Sequence, residues 1–353
     1  MTAETFNLKT LQEYYGKILT GNKDLQTNAC CCTDENLTPS VKAALAEINP
    51  EVCDKFYGCG SPLPPLLEGC TILDLGCGSG RDVFLAARLA GPTGTVIGVD
   101  MTEEQLAVGR ANLASQMKRF GFERTNVDFR QGYIEDLQPL DIVDNFVDVV
   151  ISNCVINLSP DKRRVFSEIF RVLKPGGELL FSDVFAGRRV PSRFYADPVL
   201  HGECLAGAMY REDFRRLLQS LGCLDFRQTS SRRISLGNPA IEMKIGMVDF
   251  YSLTVRAFKL PSLEDICEDY GQTATYRGTI GDYPHFFDLD DHHRFITGKP
   301  MLVCGNTASM LQETRYAPHF TTNGNRATHF GVFDCAPATA KAEANDGYGG
   351  ACC

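Results

Sequence analysis

The chain has 353 residues, which is long for one domain, since a domain typically takes about 150. Hydrophobic residues make up 44% and charged residues 22%, a composition typical of globular proteins that excludes a chain disordered throughout. The formal net charge of -9 argues against a nucleic-acid partner, because such proteins usually present a basic surface.

No targeting or membrane-spanning segment is predicted. Residues 1–25 carry charged side chains without the apolar core of a signal peptide, and no apolar stretch reaches the roughly 18 residues that a membrane span needs. We therefore expect a cytoplasmic protein with no membrane partner. The 15 cysteines are odd in number and spread along the chain, so a secreted disulfide framework explains them poorly. Ligands, redox groups or buried fillers are better explanations.

The middle of the chain alternates between strand and helix patterns. Strands are predicted at TILDLG (71–76) and TVIGVD (95–100), and a helix over 81–90 joins them into a βαβ unit. Thr102 and Gln105 form a capping box ahead of a helix that spans Glu103 to Phe120. VDFRQG and DVVISN are the next two predicted strands.

A further helix and strand complete the pattern. Ser159 and Pro160 are expected at the N-cap and first position of the helix, and GELLFSDV is the strand that follows it. Repeated alternation of this kind predicts an α/β fold with a doubly wound, mostly parallel sheet covered by helices on both faces. Ligands of such sheets bind at the carboxyl ends of the strands.

The composition along the chain predicts five regions. They are an N-terminal segment that contributes to the active site (1–70), a cofactor-binding core (71–184), an embellishment that completes the sheet (185–260), a smaller C-terminal α+β domain of unknown role (261–335) and a disordered tail rich in Ala and Gly (336–353).

The glycine-rich string LDLGCGSGRD follows a predicted strand and opens a predicted helix. Its GxGxG spacing allows a tight turn and close approach of the backbone to a ligand, and the helix start beyond it offers free N–H groups. Asp100 ends the next strand, where a carboxylate can bind both hydroxyls of a ribose. Together these features favour a ligand that contains a ribose.

LDLGCGSGRD, VIGVDM, FRQGYIEDL and DVVISNCVINL, in this order, resemble the cofactor motifs of class I S-adenosylmethionine-dependent methyltransferases, which have a Rossmann-like fold. The resemblance implies S-adenosylmethionine as methyl donor, and we expect no catalytic metal ion. The side chain of Asp74 could bind either nearby backbone groups or the cofactor. The residues predicted for the cofactor site, all but Asp74 on the basis of the resemblance, are Asp74, Gly76, Gly78, Gly80, Asp100, Met101, Gly132, Tyr133, Ile134 and Asn153.

Three cysteines could converge on the same edge of the sheet as the cofactor. Cys59 precedes the sheet, Cys154 ends the fourth strand and Cys204 follows the fifth. No CxxC pair is present, so a local zinc site is disfavoured, and three thiolates beside a methyl sulfonium suit a soft acceptor such as trivalent arsenic. Cys53, Cys70, Cys223, Cys267 and Cys304 are expected to be buried fillers. A thiol sensor without turnover and a methyltransferase for a small organic molecule remain alternatives.

The strings YYGKILTGNKDLQTNAC, FYGCGSP, SNCVINLSPDKRRVF and HGECLAGA resemble those of arsenite S-adenosylmethionine methyltransferases, and YRGTIGDYPHFFDLDDHHRF resembles the extra C-terminal domain of microbial members. The resemblance implies methylation of arsenite and methylarsenite, giving mono-, di- and even trimethylated arsenicals in arsenic detoxification. By motif, Cys154 and Cys204 map to two persistent arsenic ligands, Cys59 to a third, and Tyr57 to a tyrosine near the site.

The family pattern also implies a redox role for Cys30, which follows QTNA. A disulfide between Cys30 and Cys59 would supply the electrons that repeated methylation requires, and glutathione or thioredoxin would reduce it again. Cys31 and Cys32 depart from the pattern, and either could substitute for Cys30, trap arsenic or be neutral. A monomer is expected.

Overall fold

The computed structural model describes Gln12, Tyr15, Thr27, Ala29 and residues 37–335. Cys30, Cys31, Cys32 and the predicted tail (336–353) lie outside these residues. Within the described part of the chain, no helix is long and apolar enough to cross a lipid bilayer.

An eight-stranded sheet dominates the structure, with strand order β3-β2-β1-β4-β5-β8-β7 and β6 beside β5. β1 to β5 are parallel to one another, whereas β8 is antiparallel to both of its neighbours. This topology confirms the predicted doubly wound, mostly parallel sheet. The strands are β1 (Thr71–Leu75), β2 (Thr95–Asp100), β3 (Val127–Gln131), β4 (Val147–Asn153), β5 (Leu173–Ala186), β6 (Met209–Tyr210), β7 (Phe226–Arg233) and β8 (Phe250–Phe258).

Helices cover both faces of the sheet. They are α1 (Pro39–Ala46), α2 (Pro50–Asp54), α3 (Arg81–Ala90), α4 (Glu103–Phe120), α5 (Lys162–Val172), α6 (Pro198–Gly202), α7 (Arg211–Ser220) and α8 (Pro239–Ile245). Val83 and Phe84 of α3 belong to the apolar core on one face, and Val165 and Phe166 of α5 belong to the core on the other. Because both faces of the sheet are buried, the sequences of the central strands are continuous apolar runs.

Two helix starts show how the local prediction compares with the structure. α4 begins at Glu103 as predicted, but the Thr102 side chain makes no capping hydrogen bond, and the Gln105 amide donates to the Tyr15 carbonyl at 2.9 Å. α5 begins at Lys162, so the predicted start at Pro160 is wrong by two residues. Asp161 is the N-cap, and its carboxylate accepts from the Arg164 N–H at 3.0 Å.

The C-terminal part of the described chain builds small sheets around a separate apolar core. Its elements are β9 (Glu268–Asp269), β10 (Gln272–Tyr276), β11 (Phe286–Asp288), β12 (Arg294–Ile296), β13 (Pro300–Val303), α9 (Gly305–Gln312), β14 (Phe320–Asn323) and β15 (Gly331–Val332). The core cluster also includes Phe258 of β8, so it continues directly from the large sheet.

A buried charged network joins this part to the large sheet. Glu178 of β5 is wholly buried and accepts hydrogen bonds from Arg256 Nε at 2.8 Å and from the Tyr316 hydroxyl at 3.1 Å. Arg315 also forms an ion pair with Glu178. The charged groups therefore bridge strands β5 and β8 and the C-terminal elements.

Candidate active site

A cleft of about 950 Å³, measured to its open mouth, lies at the carboxyl ends of β1, β2 and β4. The strand order reverses between β1 and β4, which is where doubly wound sheets bind their ligands. Nearly all of the residues predicted for the cofactor line this cleft. Gly80 does not line the cleft. A Cβ atom at Gly80 would lie 2.6 Å from the Phe129 ring, so close packing against this ring explains why the position is a glycine.

Three carboxylates meet at the floor of the cleft. Asp74 is 2% exposed, and among the described residues its Oδ2 atom has no hydrogen-bond partner. Burial, together with the nearby carboxylates of Asp82 and Asp100, raises the pKa of Asp74 well above its usual range. A cationic ligand would offset the cost of ionising this group. The sulfonium and ammonium groups of S-adenosylmethionine therefore fit the charge of the cleft.

Asp100 fixes the shape of the glycine-rich turn. Its two oxygens accept from the Gly78 N–H and the Thr102 N–H, each at 2.8 Å. Each carboxylate oxygen has a second lone pair, so Asp100 can still accept from ligand hydroxyls. Gly78 has φ of +52°, and a Cβ there would meet nothing within 4 Å. The turn thus leaves room for a ligand beside its backbone.

The loop after β3 forms another wall, where Gly132, Tyr133 and Ile134 line the cleft. Tyr133 is 45% exposed, so its ring is accessible to a planar ligand group. Beside this wall, the Met101 carbonyl accepts from the Gln12 side-chain amide at 3.1 Å. Gln12 therefore reaches the cofactor side of the cleft.

The predicted cysteines come together at one end of the cleft. Cys59, Cys154 and Cys204 are all buried, and the sulfur atoms of Cys154 and Cys204 lie within 4.8 Å of each other. Cys204 Sγ donates to the Cys154 carbonyl at 3.0 Å. Cys59 forms a disulfide with Cys154, with their Cα atoms 5.9 Å apart. The expected partner of Cys59, Cys30, lies outside the described residues.

Both Cys154 and Cys204 have left-handed backbone conformations, with φ of 57° and 64°. Such values are uncommon for residues other than glycine and are found at functional sites, where the surrounding structure holds them. A hydrogen bond from the Cys154 N–H to the Ser182 carbonyl, at 2.8 Å, anchors the first of them to β5. The two strained residues therefore lie at the place where the sulfur atoms cluster.

Asn153 positions the loop that carries Cys59. Its Oδ1 atom accepts from the N–H groups of Cys59 at 3.0 Å and Gly60 at 3.2 Å. Its Nδ2 atom donates to the Gly60 carbonyl at 2.8 Å and to Asp82 at 3.0 Å. Asn153 was predicted as a cofactor contact; the structure also places it as the link between the sulfur cluster and the carboxylates.

Sequence reasoning missed Asp183, which lies within 4.8 Å of the Cys154 and Cys204 sulfur atoms. Its oxygens accept from the N–H groups of Val184 at 2.8 Å and Asn157 at 3.0 Å. Burial raises the pKa of Asp183 to about 7. Its place in LLFSDV, after a run of apolar strand residues, is a signal that could have identified it.

Tyr57 lines the cleft beside Tyr15, with the two ring centroids 5.9 Å apart. The Tyr15 hydroxyl donates to the Gly202 carbonyl at 2.5 Å, two residues before Cys204. Thr27 likewise donates to Glu203. The described N-terminal residues therefore contact both the cofactor side and the sulfur side of the cleft.

Known proteins share this architecture. A family model described as a methyltransferase domain matches residues 66–222, and one described as an arsenite methyltransferase C-terminal domain matches residues 270–348. An arsenite methyltransferase from Aquipseudomonas alcaligenes is 52% identical over 92% of this chain and 93% of its own length. The arsenite methyltransferase of Mus musculus is 41% identical over 88% of this chain and 82% of its own length.

A solved structure extends the likeness to three dimensions. The crystal structure of an arsenic(III) S-adenosylmethionine methyltransferase from Chlamydomonas reinhardtii is similar with a TM-score of 0.82 and 52% sequence identity. The match covers 85% of this chain and 100% of that chain. Similarity of this extent, over both the sheet and the C-terminal elements, shows that the chain belongs to the arsenite methyltransferase family of class I S-adenosylmethionine-dependent methyltransferases.

Proposed function

We propose that this enzyme transfers methyl groups to trivalent arsenic bound by Cys154 and Cys204, with Cys59 as a third ligand. The observation that carries the proposal is the convergence of these three sulfur atoms, from distant parts of the sequence, at one end of the cleft. Thiolates are the ligands that soft ions prefer. S-adenosylmethionine supplies the methyl group when it is bound in the same cleft.

Arsenic binding requires free thiols. Reduction of the Cys59–Cys154 disulfide by glutathione or thioredoxin gives two thiols and consumes two electrons. Each thiol then replaces one hydroxide of arsenite, which leaves as water, so three As–S bonds form and the product is neutral. A neutral complex suits a buried site, because an uncompensated charge there would be costly.

The residues of the cleft act by orientation. The arsenic lone pair accepts the methyl group directly, so the enzyme needs no general base, and its main task is to hold the reacting atoms about 3–3.5 Å apart and in line. Asn153 fixes the Cys59 loop, while Asp100 shapes the cofactor side. Tyr57 and Tyr15 restrict water access between the two sides.

Each transfer oxidises arsenic from the trivalent to the pentavalent state, and a further transfer requires two electrons. We assign Cys59 and a second thiol, Cys30 by the family pattern, as the source of these two electrons, because two thiols release two electrons and two protons when they form a disulfide. Cys154, which is bonded to Cys59 in the structure, is instead needed as a thiol that holds arsenic. Cellular dithiols reduce the bond again, and successive rounds give mono-, di- and trimethylated products. We further propose that the enzyme works as a monomer in the reducing cytoplasm, where thiols are available to reset it. The proposed reaction involves no nucleic-acid, membrane or metal-ion partner.

A product assay tests the proposal. The purified enzyme is incubated with S-adenosylmethionine, a thioredoxin system and arsenite, and arsenicals are resolved by chromatography and mass spectrometry. We expect methylated products from the wild type and from Cys70→Ser, which changes a thiol at the opposite edge of the sheet. Cys154→Ser and Cys204→Ser should abolish all methylation, whereas Cys30→Ser should spare methylation of methylarsenite. Dimethylated product at the wild-type rate from Cys204→Ser would contradict the assignment.

The same assay separates the alternatives. A thiol sensor would bind arsenite and release no methylated product. A methyltransferase for a small organic molecule would leave arsenite unchanged even with its thiols reduced.

A further inference from the structure

A second sulfur cluster lies in the C-terminal part of the chain, outside the cleft. The sulfur atoms of Cys267, Cys304 and Cys335 are all within 4.8 Å of one another. Cys267 and Cys304 are buried, and Cys335 is half-buried. Of the five predicted fillers, Cys223, Cys267 and Cys304 are buried, whereas Cys53 and Cys70 are only half-buried. The sequence did not predict the cluster, because Cys335 approaches the other two cysteines only in the folded chain.

Two of the three sulfur atoms belong to free thiols. Cys304 and Cys335 are unbridged, whereas Cys267 is disulfide-bonded. The cluster in this state therefore offers a dithiol with a third sulfur beside it.

The surroundings of Cys304 favour a thiolate. Cys304 is the N-cap of α9, where its sulfur accepts from the Thr307 N–H at 3.4 Å and lies 3.2 Å from the Thr307 hydroxyl. The buried guanidinium of Arg227 approaches the same sulfur at 3.8 Å. A hydrogen bond from Cys335, helped by the Arg227 charge, lowers the pKa of Cys304. The thiolate is the form that binds thiophilic ions.

The position of the cluster excludes direct exchange with the cysteines of the cleft in this conformation. Cys304 contacts Arg227 of β7, which is three strand positions from β4 in the order β4-β5-β8-β7. Neighbouring strands are about 4.8 Å apart, which gives roughly 14 Å across the sheet. A disulfide needs Cα atoms within about 7 Å. The dithiol is therefore a separate site and no relay to Cys154.

We propose that Cys304 and Cys335 form a second arsenic site, which binds a monosubstituted trivalent arsenical such as methylarsenite. Methylarsenite carries two hydroxyl groups. Two As–O bonds break and two As–S bonds form, the hydroxyls leave as water, and arsenic stays trivalent. Where a cysteine reacts as its thiolate, the hydroxyl that it displaces takes a proton from solvent and leaves as water. No oxidant or reductant is required.

The number of ligands near the cluster favours methylarsenite over a divalent metal ion. The nearby carboxylates of Asp225 and Asp290 already pair with Arg227, at 2.7 Å and 3.4 Å. A structural zinc ion requires four ligands, and the two free thiols supply only two. Methylarsenite needs two thiols in place of its two hydroxyl groups.

Arsenic binding without S-adenosylmethionine tests this site independently of methyl transfer. Full-length protein carrying Cys154→Ser and Cys204→Ser is exposed to methylarsenite without reductant, freed of unbound arsenic, and analysed for arsenic per chain by plasma mass spectrometry. Adding Cys304→Ser or Cys335→Ser should remove one arsenic atom per chain. Adding Cys267→Ser, the matched control, should remove none.

Serine is itself a good N-cap residue, so Cys304→Ser should keep α9 intact, and thermal unfolding of each variant verifies this. Unchanged arsenic content in folded Cys304→Ser protein would overturn the proposal. Loss of the same arsenic atom in Cys267→Ser would overturn the dithiol assignment. Neither result depends on whether the cleft methylates arsenic.

Discussion

At the scale of single residues, Asp100 controls the cofactor side of the cleft. Asp100→Ala removes the acceptor of the Gly78 and Thr102 N–H groups as well as the group expected to bind ribose. Hydrogen bonds to a charged group contribute about 1.5–3 kcal/mol, so affinity for S-adenosylmethionine should fall roughly 10- to 150-fold. Isothermal titration calorimetry measures the change. Asp128→Ala, an exposed carboxylate on β3, should bind normally, and equal affinities of the two variants would contradict the role of Asp100.

Asp183 gives the folding stability a specific pH dependence. Burial raises its pKa to about 7 in the folded state, above its ordinary value of 3.8, so the folded state holds this proton more tightly than the unfolded state does. The resulting stability is complete below about pH 4 and is lost as the pH rises through 7. Between pH 6 and 8, the urea midpoint of the wild type should therefore fall more than that of Asp183→Asn. Parallel pH profiles would show that Asp183 does not titrate in this way.

The sequence was most informative for residues at strand ends. Asp100, Asn153 and Cys154 could be placed at one edge because parallel strands bring their carboxyl ends together. The disulfide partner of Cys59 could not be derived in this way, because Cys59 lies on a loop that Asn153 positions from 94 residues away. Asp183 lies within β5, three residues before the end of the strand, so a rule based on strand ends does not select it.

At the scale of elements, the start of α5 depends on Asp161. Replacing this N-cap by alanine leaves the Arg164 N–H without its acceptor and should lower the free energy of unfolding by about 1 kcal/mol. Asp161→Asn retains a side-chain oxygen at the same place and should cost only a few tenths of that value. Urea unfolding measures both, and equal losses from the two variants would count against capping by Asp161.

The predicted start of this helix failed for a local reason. Ser159 and Pro160 satisfy the statistical preferences of a helix start, but the Ser159 hydroxyl instead donates to Glu135 at 2.5 Å and accepts from the Asp161 N–H at 3.1 Å. Several adjacent polar residues can cap a helix, and a tertiary contact selects among them.

The end of α4 is marked more clearly, because Gly121 ends this helix in a left-handed conformation with φ of 72°.

At the scale of the molecule, the C-terminal elements depend on buried charges in the large sheet. Arg256→Ala would leave Glu178 buried with fewer partners, and breaking a buried pair typically costs about 3–5 kcal/mol. Arg294→Ala removes an exposed ion pair with Asp288 and should have little effect. Chemical denaturation measures both variants. A loss for Arg256→Ala no larger than that for Arg294→Ala would contradict the role of this network.

The sequence predicted a separate C-terminal domain because its pattern changes near residue 261. The sequence could not reveal the buried charged network around Glu178. Glu178 and Tyr316 are 138 residues apart, and nothing in the residues next to either one indicates the contact between them. Composition and periodicity describe how each segment folds by itself. Contacts between segments depend on the tertiary packing that brings them together.

β5 links the two ends of the molecule in a way that hydrogen exchange should report. The part of β5 that pairs with β8 runs from Glu178 to Ala186, so Glu178 begins this part and Asp183 lies three residues before its end, while β4 flanks the strand on the other side. Its central amides can exchange with deuterium only when the whole sheet opens. A ligand bound in the cleft beside Asp183 slows that opening by mass action, whereas loss of the ion pairs of Glu178 should speed it. The same backbone amides would then record both changes.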